Sequence, residues 1–67
     1  MKITLEAARV NAGYKQKEVA EILQISNKTL SNWENGVSTP TVVQAENLCN
    51  LYKMPLDSIN FLPKNPL

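Results

Sequence analysis

From Ser26 to Gly36 the chain reads Ser-Asn-Lys-Thr-Leu-Ser-Asn-Trp-Glu-Asn-Gly. Five of these positions, Asn27, Lys28, Ser31, Asn32 and Asn35, carry amide, hydroxyl or ammonium groups. At spacings of three and four they share a helix flank and offer a row of hydrogen-bond donors and acceptors. Side chains of these types match the base-pair edges in the major groove of B-DNA, which admits one helix. Any surface helix also shows water a polar flank, so this flank alone specifies nothing beyond solvation.

A helix that carries such groups needs a buried edge and defined ends. Leu30 and Trp33, three apart, supply the edge. Ser26 stands where an N-cap belongs, and Gly36 follows the helix where a left-handed C-cap suits glycine. Upstream, Gln16–Leu23 reads as a second short helix, with Val19, Ala20, Ile22 and Leu23 as its buried stripe. Gln24-Ile25 leaves room only for a turn between the two.

These signs together resemble the lambda-repressor/Cro-type helix-turn-helix family, also called the xenobiotic-response-element family. The resemblance runs from Leu5 to Leu62. It is carried by Gln16 with Glu18-Val19-Ala20, Ile25-Ser26, Thr29-Leu30, Trp33-Glu34-Asn35-Gly36, Pro40 and Leu56-Asp57. The family implies an all-α, compact five-helix lambda-repressor-like DNA-binding domain, its helix-turn-helix formed by the second and third helices. The whole chain, 1–67, is expected to be one such domain, with a core of about 4–62 and a C-terminal tail at 63–67.

The remaining elements are read on that frame. Thr4 caps a first helix with Leu5, Ala8 and Ala12 on one face, ending at Gly13. Thr39-Pro40 reads as N-cap and first residue of a fourth helix, about Pro40 to Tyr52, with Val42, Ala45, Leu48, Cys49 and Tyr52 at helical spacing. A short final helix is expected from Met54 to Ile59. Two departures from the family stand out. Lys15 replaces a capping Ser or Thr, so half of the capping box with Glu18 is missing. Gln24 stands where a glycine is usual, and a positive φ there would strain it by about 1–2 kcal/mol.

The resemblance assigns roles to individual residues. Asn27, Lys28 and Asn32 are implied base readers, with Asn suited to adenine and Lys to guanine; Ser31 could serve base or backbone. Gln16 is implied to meet a phosphate at the start of the second helix. Asn35 and the amides near Gly36–Ser38 resemble a phosphate clamp, supplemented by Lys15 and Lys17. Arg9 and Glu34 are implied to pair, tying the first helix to the third for stability, whereas the plain reading of Arg9 is a solvated charge. Leu30 and Trp33 are structural.

Composition narrows the function classes. Seven Lys/Arg against six Asp/Glu give a net charge of +1. That is a weak global field for a polyanion binder, so phosphate contact must come from a local cluster. No histidine, only two glycines, scattered carboxylates and the lone Cys49 offer no catalytic group and no metal set. The expectation is no enzyme, no cofactor, no metal and no small-molecule ligand. A free cysteine, no apolar run of about 20 residues and no signal peptide suit a prokaryotic cytosol or nucleoid. The family allows a phage or mobile-element origin. No sensor domain is evident.

The function these features predict is a sequence-specific double-stranded DNA-binding transcriptional regulator, a repressor. It would insert helix 27–35 into the major groove as a homodimer on a palindromic operator, with an antagonist or transcription-machinery protein as a further partner. The alternative is a protein-binding module of the same fold, an antitoxin, antirepressor or adaptor, with DNA binding secondary or lost. The near-zero net charge favours the alternative and the Asn/Lys/Ser face favours DNA.

Overall fold

A computed structural model describes residues 2–61. Leu62 and the expected tail at 63–67 lie outside the described residues. In chain order the elements are β1 (Ile3–Thr4), α1 (Leu5–Asn11), α2 (Gln16–Leu23), α3 (Asn27–Glu34), α4 (Val42–Tyr52), a 3-10 turn (Leu56–Ser58) and β2 (Ile59–Asn60).

Three of the four helices start on a side-chain cap. The Thr4 hydroxyl accepts the Ala7 amide at 3.0 Å, and the Ser26 hydroxyl accepts the Thr29 amide at 3.0 Å. At α4 the cap is Thr41, not Thr39, and Pro40 lies outside the helix. The Thr41 hydroxyl accepts the Gln44 amide at 3.2 Å, and the Gln44 side-chain oxygen accepts the Thr41 amide at 3.0 Å. A helix capped by Thr39 would have Val42 in the reciprocating position, which cannot bond back; Thr41-Val42-Val43-Gln44 completes both halves. At α2 the expected half box is present. Glu18 Oε1 accepts the Lys15 amide at 2.7 Å, and the Lys15 ammonium has no lone pair to return the bond.

All four helices end alike. A residue with positive φ turns the chain, and the next amide bonds back to the carbonyl five residues earlier. The pairs are Tyr14 to Arg9 at 3.2 Å, Ile25 to Ala20 at 2.9 Å, Val37 to Asn32 at 2.9 Å and Met54 to Cys49 at 3.0 Å. Gly13 and Gly36 occupy two of the left-handed positions, but Gln24 (φ 56°) and Lys53 (φ 57°) occupy the others. The strain expected at Gln24 therefore has its geometric basis, and Lys53 repeats it.

The helices enclose one apolar cluster that includes Leu5, Ala8, Val19, Leu30, Trp33, Leu48, Cys49, Tyr52 and Ile59. Three residues expected inside are not there. Ile22 is 53% exposed and Val42 72% exposed, and Ala12 caps α1 on the surface. Val19, Ala20 and Leu23 already cover the inward arc of α2, which leaves Ile22 on its flank; Val42 faces outward in the first turn of α4. Cys49 packs as a small core residue, and burial, helped by Glu46, pushes its thiol pKa up.

The expected fifth helix does not form. After the single turn at Leu56–Ser58, Ile59 extends (φ −115°, ψ 133°) and is sealed in the core at 1% exposure. Its strand pairs in parallel with β1, Ile3 opposite Ile59 and Thr4 opposite Asn60. The backbone of a continued helix would bond along its own axis and forfeit that ladder. The described residues thus form four α-helices and a two-residue parallel ladder: the all-α fold expected is present, with four helices in place of five. Among the described residues no helix is long and apolar enough to cross a membrane.

Candidate nucleic-acid interface

Helix α3 is held from one side. Leu30 is fully buried and Trp33 nearly so. Thr29, half-buried, shares a 2.8 Å hydroxyl–hydroxyl hydrogen bond with Ser26, which stiffens the turn entering α3. Asn27 and Lys28 stand exposed in the first turn, while Ser31 and Asn32 are half-buried further along. Asn35, exposed just past the helix, donates from Nδ2 to the Ser31 hydroxyl at 3.1 Å. The five polar positions singled out in the sequence thus leave the buried edge of α3 to Leu30 and Trp33, and two of them are bonded to each other.

The loop after α3 turns its amides inward. The Gly36 amide bonds to Trp33 at 3.4 Å, and Val37 and Ser38 bond to the Asn32 carbonyl at 2.9 and 3.3 Å. These donors complete the helix end, leaving the exposed side chains of Asn35 and Ser38 as the outward polar groups there. Lys15 and Lys17 are exposed around the start of α2.

Behind this surface lies a buried polar cluster. Glu34 Oε2 accepts from Arg9 Nε at 2.8 Å, with the side chains 12% (Arg9) and 3% (Glu34) exposed. Arg9 Nη2 lies 3.4 Å from Glu34 Oε1, and Arg9 Nη1 donates to the Tyr14 carbonyl at 2.9 Å. The ion pair expected between α1 and α3 is therefore present. The Glu34 hydrogen bond raises the Arg9 pKa against the opposing effect of burial. Gln16, expected at a phosphate, directs Nε2 onto Glu34 Oε1 at 3.1 Å. The α3 carboxylate thereby gathers side chains from α1 and α2.

Sequence reasoning placed Tyr52 in the core but missed its neighbours. Its ring centroid is 6.2 Å from that of Tyr14, tilted by 36°. Its hydroxyl is buried without a hydrogen-bond partner among the described residues. Burial first, and the nearby Glu34 charge second, push its pKa well above the usual phenol value. No local pattern signals this contact, because Tyr14 and Tyr52 belong to segments far apart in the chain.

The arrangement offers hydrogen bonds and local positive charge. No group of three metal-ligating side chains occurs among the described residues. The profile of the helix-turn-helix family matches residues 5–59. The chain is also 45% identical over 53 residues to the HTH-type transcriptional regulator ImmR of Bacillus subtilis (strain 168), an alignment covering 79% of this chain and 42% of that protein. It therefore spans less than half the length of this relative.

Proposed function

The chain belongs to the Cro/C1-type helix-turn-helix family, and from that premise we propose that it is a sequence-specific duplex-DNA-binding transcriptional regulator. In this proposal it represses by occupying a palindromic operator as a homodimer, with α3 in the major groove. The observation that carries the reading is the division of α3 into a buried edge, Leu30 and Trp33, and a polar flank of Asn27, Lys28, Ser31 and Asn32. Asn27 and Asn32 would read adenine through paired amide contacts, and Lys28 would donate to guanine O6 or N7. Ser31 joins them as donor or acceptor.

Phosphates would be met on both sides of this helix. Lys15, Lys17 and Gln16 cluster at the start of α2, where free amides and the helix dipole favour anions. Asn35 and Ser38 serve the far side with their side chains. A net charge of +1 makes this local clustering necessary, because the whole-molecule field adds little. Two recognition helices on half-sites about 34–36 Å apart would meet the same side of the duplex.

A protein-binding module is the second reading, favoured by the low net charge and by the exposure of Val37, Val42 and Val43. Duplex selection followed by a salt titration separates the two. An enriched palindromic site and a steep fall of affinity with salt support the DNA reader. No enriched site, with weak binding indifferent to salt, favours a protein partner.

A further inference from the structure

We infer that Glu34 is a positioning residue for the phosphate contact, orienting the Gln16 side-chain amide so that an N–H rather than the carbonyl oxygen is presented at the start of α2. This rests on the duplex-binding reading above and goes beyond it by assigning a surface task to a buried carboxylate. Gln16 is the first residue of the eight-residue helix α2 and is half-buried. Its Nε2 lies 3.1 Å from Glu34 Oε1. A carboxylate paired with a guanidinium only accepts hydrogen bonds, so only the NH2 end of an amide can face it. The flipped amide would set two acceptors against each other with no hydrogen between them. Charge therefore selects the orientation.

The NH2 group carries two hydrogens, and Glu34 takes one. The second remains for an oxyanion approaching the helix N-terminus, where unpaired backbone amides and the dipole already favour negative charge. A glutamine without this partner would offer oxygen as readily as nitrogen, and oxygen repels a phosphate. Arg9 makes the arrangement workable. Its Nε and Nη2 neutralise a carboxylate that would otherwise oppose the phosphate, and its Nη1 is anchored on the Tyr14 carbonyl. The sequence Arg9–Glu34–Gln16 is thus a relay across three helices that ends at the surface.

The test is a double-mutant cycle read on a selected duplex, with circular dichroism checking the fold of each variant. In wild type, Gln16→Ala should weaken binding about fivefold while leaving the salt slope nearly unchanged, because a neutral amide releases no counterion. In Glu34→Gln, whose new amide can bond either end of Gln16, the same Gln16→Ala change should alter affinity less than twofold. A role confined to stability would leave the cost of Gln16→Ala equal in both backgrounds, and that result overturns the inference while the DNA-reader proposal stands. Wild type without salt-dependent duplex binding overturns both.

If Glu34→Gln does not fold, NMR of the wild-type Gln16 side-chain amide decides. One NH2 proton shifted downfield and slowed in exchange in the free protein, with the other proton moving on adding duplex, is the expected result. Two fast-exchanging NH2 protons at the shifts of free glutamine, or no response to duplex, overturn the inference.

Discussion

Tyr52 leans on Tyr14 with ring centroids 6.2 Å apart, and its hydroxyl is buried without a hydrogen-bond partner among the described residues. A buried hydroxyl left unpaired costs about 1–3 kcal/mol relative to one that is paired or removed. Tyr52→Phe keeps the ring stacking and removes the hydroxyl. Urea unfolding at pH 7 should show Tyr52→Phe to be more stable than wild type by about 1 kcal/mol; a clear loss of stability would contradict the unpaired state.

The same residue predicts an alkaline limit. The folded-state pKa of Tyr52 is raised, chiefly by burial, so the folded chain keeps a proton that the unfolded chain releases near pH 10. Stability from this source is complete below the unfolded pKa and is lost as pH rises above it. Cys49, raised in the same direction by burial, adds a decline that starts near its lower unfolded value. Stability measured from pH 8 to 12 should fall, and the fall above about pH 10 should be shallower in Tyr52→Phe by up to about 1.4 kcal/mol per pH unit.

Removing Arg9 exposes what the ion pair conceals. Arg9→Met leaves Glu34, 3% exposed, as a buried charge without its counter-ion, at a cost of about 3–5 kcal/mol. The double change Arg9→Met with Glu34→Leu should recover most of that loss, because both desolvation costs disappear together. Denaturant midpoints of the three proteins check this; a double variant no more stable than Arg9→Met would count against it.

Base reading and folding separate cleanly on α3. Lys28→Ala and Asn32→Ala should leave the circular dichroism spectrum and melting temperature nearly unchanged. On a selected duplex each should lose about 1–3 kcal/mol of discrimination at one base position. Trp33→Ala, by contrast, should cost about 3–5 kcal/mol of stability and abolish binding through unfolding. Discrimination retained in folded Lys28→Ala and Asn32→Ala would remove those two residues from the readout.

Gln24 and Lys53 hold left-handed backbone at two helix ends. Replacing either by glycine relieves a steric cost of about 1–2 kcal/mol, offset in part by the greater freedom of glycine in the unfolded chain. Gln24→Gly and Lys53→Gly should each raise the urea midpoint modestly, and additively, since they cap different helices. A lowered midpoint would show that the side chains compensate the strain.

The parts of the fold that the sequence revealed are those with local causes. Ser26 and Thr4 cap where expected because a hydroxyl three residues before an amide is sufficient, and α2 spans the predicted residues because its stripe and turn are contiguous. Thr41 was also legible, through Gln44 three positions later, yet the neighbouring Thr39-Pro40 offered a competing start. The fifth helix was misjudged because Ile59 answers to Ile3, a partner that no local window contains. In the site, the positions of Asn27, Lys28, Ser31 and Asn32 followed from periodicity. The Arg9–Glu34 pair came from family resemblance. The turn of Gln16 toward Glu34 depends on how three helices meet, which no spacing rule expresses.

The Ile3–Ile59 pairing also orders the assembly of the molecule in time. The four helices are, in effect, the crossover between two parallel strands, and this closing contact joins residues near the two ends of the described chain. Its loop-closure entropy can be met only once the intervening chain has become compact. During synthesis, α2 and α3 leave the ribosome before Ile59, which joins the core only after them. The helix that carries the polar flank is thus shaped early, while the frame that fixes its angle is completed only when the final strand is added.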